Sequence, residues 1–459
     1  MGPRTGEREE IGRIEEGMAK TAVSTKAGVD MYLGAFEQFD KNVNGKSFEK
    51  LRQIRRSAIG KFSGLGFPTT SDEKWKYTNV SAIAETKFQL VSEAADQALS
   101  VKDLAPYLFG REDWPRVVLV NGIYSERLSS LNGLPSEVKV KSLASALAED
   151  FGSVQNWLRK TSETSNAFSV LNTAFLQDGV FVEISKGAEL KLPLQILYVS
   201  TAVGRGPWMT HPRNIFHLAQ TSRATVLESF ASLGERPYFV NIATDVVLDE
   251  GAALDFYQIL KEGKESFHIE TIEANLARSS VLNAHSLALD GKLVRNDLHV
   301  GLNGEGASAE LNGLYLVSEG RHVDNTILID HAKPGGTSRQ LYKGILQGKS
   351  KAAFNGKIYV HKDAQKTDAN QINKSLVLSD GAVADTRPQL EIYADDVKCS
   401  HGGAVGQIDE ESLFYLKSRG IGEEKARRLL CYGFASEVTG RLKLEELRRE
   451  MDRHLEAWI

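Results

Sequence analysis

Apolar residues recur at three- and four-residue spacing between charged ones over Val29 to Phe39 and Ser47 to Ile59, which predicts helices in the first part of the chain. Gly64, Gly66 and Pro68 break that pattern. Asp72-Glu73-Lys74-Trp75-Lys76-Tyr77-Thr78 then sets two large aromatics among charges, and reads as a capped helix with Trp75 and Tyr77 as packing anchors. Asn121-Gly122 marks a hairpin turn between short strands around Arg116 to Tyr124, and Val138 to Arg159 is helical in pattern again.

From about Phe168 the period shortens. Gly179 to Ile184, Asn214 to Leu218, Ala224 to Ser229 and Tyr238 to Ile242 are short alternating runs rich in β-branched and aromatic residues, and they predict strands. A pair of small residues precedes an alternating run at Gly187-Ala188, Gly251-Ala252, Ser279-Ser280, Gly306-Ala307 and Gly381-Ala382, often at intervals of roughly 27–30 residues. A coil of two or three strands of about five residues, with turns, needs roughly 20–30 residues, so the repeat fits a β-solenoid. A β-sandwich would need two-residue primed hairpin turns between neighbouring strands; Asp290-Gly291 is one, and few others appear, so the solenoid is preferred.

After Gly406 the helical period returns. Asp409 is an N-cap with Glu410 and Glu411 in the first turn, Leu413, Phe414 and Leu416 form an apolar face, and Gly420 stops the helix. A second helix, Glu423 to Thr439, buries Ala426, Leu429, Leu430, Phe434 and Val438, and a third runs from Leu442 towards Trp458. Such helices can close the open end of a solenoid and carry a partner surface. The expected organisation is a mostly helical region over 1–165, a β-helix core over 166–405 and a helical region over 406–459.

Totals remove several classes. The 459 residues, 41% hydrophobic and 25% charged, suffice for a large core, and a net charge of -4 gives no electrostatic reason to expect nucleic acid. A helix-turn-helix over Leu416 to Leu430 is weak for the same reason, since Glu410, Glu411, Glu423 and Glu424 offset Lys417, Arg419, Lys425, Arg427 and Arg428. Two cysteines, Cys399 and Cys431, are too few for a disulfide scaffold and point to a reducing cytoplasm. The N-terminus mixes acids and bases, and no run of about 18 apolar residues appears, which argues against a signal or transit peptide and a membrane span. A β-helical polysaccharide lyase or hydrolase would call for export, and no export signal is present.

Candidate chemistry is sparse. Gly344 to Ser350 approaches a phosphate loop, but three residues separate its glycines where four are needed, and the strand-like Ala352 to Val360 follows in place of a helix. Gly301, Gly304 and Gly306 read as turns. His285, His299, His322, His331 and His361 fall in the β region at spacings that match no compact ligand set. Cys399 and His401 differ: two apart on an extended segment, they project to one side, and Gly402 and Gly403 leave the approach open. Thiolate and imidazole suit iron and zinc, but two donors do not complete a four-coordinate site, so the functional reading requires ligands from another chain. The alternative is a small buried thiol beside a surface histidine.

The segment Glu391 to Gly406, with Leu413 to Ile421, resembles the C-terminal signature of the SufB/SufD family, on its SufD side. His331-Ala332-Lys333-Pro334, Ser338 and Tyr342 to Leu346 are similar to a segment shared by both branches, and Trp75-Lys76-Tyr77-Thr78 is typical of the SufD branch. Roughly residues 65 to 440 are covered; residues 1–17 receive no role. SufB-like chains carry Glu-His-Glu where this one has Lys398 to His401, and usually more cysteines, so a SufB-like scaffold is the alternative within the family. The resemblance implies a right-handed parallel β-helix between helical ends and a non-ATPase, non-enzymatic subunit of the SufBCD iron–sulfur cluster assembly complex. It implies pairing with SufB through the β-helices, with a homodimer left open for the isolated chain. It also implies docking of the ATPase SufC at the C-terminal helices, a transient iron or cluster shared with SufB at Cys399 and His401, and a reduced flavin associated with the complex.

Overall fold

A computed structural model of the chain describes residues 26–42, 49–93, 95–158, 166–201 and 206–459. The alternating runs pair as two sheets stacked face to face, and successive strands switch from one sheet to the other. The first sheet ends in Leu293–Leu302, His322–His331, Lys351–Val360 and Val383–Ile392; the second ends in Ser308–Val317, Thr337–Leu346, Asp368–Val377 and Lys398–Gly406. The strands from Gly179 onward all pair parallel with one another. The offset between stacked residues is 28 for Asp255 and Asn283, 29 for Asn296 and Asn325, and 30 for Asn370 and Ser400. This is a parallel β-solenoid, as expected.

Four of the five small pairs work through a left-handed backbone, and Gly381-Ala382 does not. Gly187, Gly251, Ser279 and Gly306 have φ of 72°, 69°, 54° and 68°, and the residue after each of the last three is fully buried, so the corner needs a left-handed residue followed by one with almost no side chain. Asp290-Gly291 is a corner too, not a hairpin: it passes the chain from Val281–Asp290 in the second sheet to Leu293–Leu302 in the first. Asn121 and Gly122, at φ 51° and 79°, do turn a hairpin between Arg116–Val120 and Ile123–Tyr124. In the stretch read as helical from Val138, Val138–Ser142 is a strand antiparallel to Gly179–Ile184, because Val138 and Val140 alternate with lysines. The helix starts at Leu143, capped by the Ser142 side chain.

Helices cover the outer faces. Residues 26–42, Glu49–Leu65 and Ala167–Ala174 pack on the first sheet around Phe239, Phe267 and Ile269. The sequence 72–78 contains only a single turn, Glu73–Trp75, and the Asp72 side chain does not cap it. Trp75 is nonetheless a packing anchor: it lies against Phe168 and under the guanidinium of Arg295, 3.7 Å from its ring centroid. Thr78 hydrogen-bonds Asp324 and lies 2.9 Å from His322 Nε2.

The C-terminal helices Glu410–Ser418, Glu423–Thr439 and Glu445–Trp458 do not close the end of the solenoid. They lie on the outer face of the second sheet over Leu287, Leu314, Leu316 and Ile345. Lys343 fastens them, donating to the Phe434 carbonyl at 3.0 Å and pairing with Glu437 at 2.6 Å. Asp409 caps the first of these helices and Gly420, at φ 84°, ends it, as the sequence indicates. Two side chains assigned to apolar faces differ: Phe414 is 73% exposed and Leu429 44%.

Candidate functional site

The strand Lys398–Gly406 is the last of the second sheet and, among the described residues, pairs only with Asp368–Val377. Its register sets the direction of each side chain. Cys399, His401 and Gly403 stand opposite Ala369, Gln371 and Asn373, which are buried in the solenoid lumen, whereas Ser400 stands opposite Asn370 on the other side and accepts a hydrogen bond from it at 2.8 Å. Both candidate ligands therefore sit on the lumen side of the strand, at an end that no further coil covers. Cys399 is half-buried against the apolar cluster of Ile358, Val360, Ala364, Ala369 and Ala394, while His401 is exposed.

Burial pushes the Cys399 thiol up, and Asp368 adds to the shift, so the neutral thiol is favoured until a base accepts the proton as a metal cation displaces it. Cys431, on the helix Glu423–Thr439, is fully enclosed and burial pushes its thiol up to about 11, which leaves it a packing residue. A Cβ on Gly402 would meet nothing within 4 Å, and one on Gly403 would make only ordinary contact at 3.6 Å with Pro388 and Thr386. The chain's own packing does not demand glycine there.

Among the described residues no group of three His, Cys, Asp or Glu side chains is placed to hold a metal. Cys399 and His401 are thus a partial donor set. The other β-region histidines have local partners: His299 is 2.7 Å from Glu273, His361 2.8 Å from Asp330, and His331 2.9 Å from Ser338. His285 stacks on Tyr257, and burial lowers its pKa to about 4. Gly344 lies within the strand Thr337–Leu346, where its missing side chain makes room for the Tyr315 ring and not for a phosphate.

Comparison with known proteins decides the family. The model of the SUF system FeS cluster assembly SufBD core domain matches residues 200–434, and that of the SufBD protein N-terminal region matches 27–196. The chain belongs to the SufBD family. It is 32% identical to the iron–sulfur cluster assembly protein SufD of Escherichia coli, with 84% of this chain and 88% of the relative covered. An iron–sulfur cluster assembly SufBD family protein of Synechocystis is 31% identical over 88% of this chain and 90% of its own. SufD of Bacillus subtilis is 24% identical over 94% and 98%. As a SufBD family member the chain is an iron–sulfur cluster assembly protein, and no described helix is long and apolar enough to cross a membrane.

Proposed function

We propose that this chain is the SufD-type subunit of a cytoplasmic SufBCD-type complex, without enzymatic activity of its own, and that Cys399 and His401 assist iron entry where it meets SufB. The supporting observation is that both donors face the lumen side of the last strand, at an end where Val383–Ile392 and Lys398–Gly406 each have a neighbour on one side only. Unpaired strand edges favour addition of another chain's strand, and a partial donor set needs ligands from that chain. Iron, or a nascent cluster, is the cargo of this junction; the reduced flavin belongs to the assembled complex.

SufC docks, in this reading, on the segment Leu413 to Phe434 of the C-terminal region 406–459. Phe414 and Tyr415 on the helix Glu410–Ser418 are 73% and 59% exposed, Leu429 on the next helix is 44% exposed, and exposed aromatic and apolar side chains suit a helix-packing contact. ATP hydrolysis is then the partner's work. The helices also cover apolar residues of the second sheet, so removing them would damage the fold, and point changes are the cleaner probe. Phe414→Ala with Tyr415→Ala is expected to lower co-purification of SufC while the melting temperature holds; undiminished co-purification would remove this docking surface. For the iron role, cluster formation by the reconstituted complex is expected to fall with His401→Ala, and full assembly by that variant would overturn the role.

A further inference from the structure

The two terminal strands differ in what their backbones offer to an added strand. In an extended strand the N–H and C=O of one residue point to the same side, and successive residues alternate between the two flanking strands. The Lys398 N–H donates to the Thr367 carbonyl at 2.8 Å, so Lys398, Ser400, Gly402, Ala404 and Gly406 bond inward, to Asp368–Val377. Cys399, His401, Gly403 and Val405 therefore turn their N–H and C=O groups to the uncovered edge. These are the residues whose side chains lie on the lumen side. A strand added there would hydrogen-bond the backbone of Cys399 and His401 and, at a strand spacing of about 4.8 Å, would carry its own lumen-side side chains beside theirs.

The first sheet ends differently. The N–H groups of Val383 and Tyr393 donate inward, to the Ser350 and Val360 carbonyls, both at 2.9 Å, which leaves Ala384, Thr386, Pro388, Leu390 and Ile392 to face the uncovered edge. Pro388 sits in the middle of that row with no N–H to donate, and its ring occupies the place where an incoming carbonyl would dock. Two donors remain on each side of it, a span at the short limit for a strand. Pro388 also has a fixed place in the lumen. A Cβ on Gly403 would lie 3.6 Å from Pro388 Cγ and from Thr386 Oγ1, so these two residues stand across the lumen from the residue that follows His401 in its lumen-side row. The Thr386 hydroxyl oxygen is buried and has no hydrogen-bond partner among the described residues.

We propose that the assembled junction is laddered on one sheet and gapped on the other. An edge strand of SufB, with metal-binding side chains at alternate positions, continues the second sheet beside Cys399 and His401. Pro388 keeps the first-sheet edge unpaired, leaving a mouth lined by Thr386, Pro388 and Gly403 through which ferrous iron reaches His401. The proposal rests on the pairing with SufB and the role of His401 given above, and adds which edge is paired and where the cargo enters. The ladder sets the register that brings the partner's donors opposite Cys399 and His401; the gap keeps the site open to solvent once the ladder has formed.

Amide hydrogen exchange of the full chain, alone and assembled with SufB and SufC, separates the two edges. Assembly is expected to slow exchange at Cys399, His401, Gly403 and Val405 by about tenfold or more and to leave Ala384, Thr386, Leu390 and Ile392 within about twofold of the free chain. Pro388→Val restores the missing donor on a residue that strands favour. In that variant protection is expected to spread to the first-sheet edge, and the assembled complex is expected to take up ferrous iron alone several-fold more slowly, with the number of sites unchanged. Equal protection of both edges in the parent, or none at Lys398–Gly406, would overturn the one-sided ladder. Protection in the full chain alone that rises with its concentration and is unchanged by SufB would make a second copy the occupant and overturn the partner. A first-sheet edge still unprotected in folded Pro388→Val would overturn the part given to Pro388, and unchanged uptake with that edge protected would overturn the mouth. Full iron binding by His401→Ala with the parent's exchange pattern would overturn the reading beneath and leave the ladder standing.

Discussion

At its start the solenoid is finished by the chain itself: Val138–Ser142 and Ile123–Tyr124 fold back antiparallel along the two sheets, and Val180 and Val182 in the adjoining strand are wholly buried. At its other end Val383–Ile392 and Lys398–Gly406 each pair on one side only among the described residues, and Val383 and Val405 are 45% and 46% exposed. The same side-chain type thus contributes its full burial at one end and about half at the other. An exposed parallel edge invites association, and only Pro388, lacking an N–H, interrupts the first of the two terminal strands. The difference separates a body that stabilises the chain from an end whose residues are free to serve something else. Substitutions in the two places should therefore differ in kind.

The largest effect is expected in the body. Arg295 is 1% exposed between Asp324 and Asp297, the latter at 2.8 Å, and over the Trp75 ring. Arg295→Met leaves two carboxylates without their cation and frees the turn at Trp75, and breaking such a buried pair costs about 3–5 kcal/mol. Denaturant unfolding of the full chain measures it; a loss below about 1 kcal/mol would mean that this junction between the first helices and the first sheet is not where the body is secured.

A second effect depends on pH. Burial alone would lower the pKa of His268, but Glu262 at 3.0 Å and Glu270 at 3.8 Å hold it up to about 9. A histidine raised in the folded state adds stability that is complete below its unfolded value of about 6.5 and is lost as pH rises through about 9, a change on the order of 3 kcal/mol. Unfolding free energies at pH 6, 8 and 10 should fall more steeply for the native chain than for His268→Gln. Parallel slopes would show that the imidazole carries no charge in the lumen.

Much of this division can be read in the sequence, and the unread part has a common cause. Period and corner residues identify the strands and the C-terminal helices, because alternation and a left-handed corner are local properties. Val138 and Val140 also carried a legible strand signal, overridden by the helix that follows. What a face meets is not local: Thr78 finds His322 across 244 residues, and Phe414 is apolar in type yet faces solvent. Cys399 and His401 are visible from their two-residue spacing; that they lie at an uncovered end follows only from the fold.

The smallest effect is expected at that end. His401 is exposed and Cys399 half-buried, and truncating surface side chains changes stability by no more than about 0.5 kcal/mol. His401→Ala should stay within that bound in the isolated chain. Cys399→Ser should exceed it modestly, because the thiol leaves the apolar cluster of Ile358, Val360, Ala364, Ala369 and Ala394 and a hydroxyl there needs a partner. The contrast with Arg295→Met is the point of the measurement: two changes that leave the melting temperature almost in place yet lower cluster formation in the complex would show that the open end is kept for chemistry. A melting shift for Cys399→Ser comparable to that of Arg295→Met would instead make Cys399 part of the body, and the division between body and end would have to be drawn beyond it.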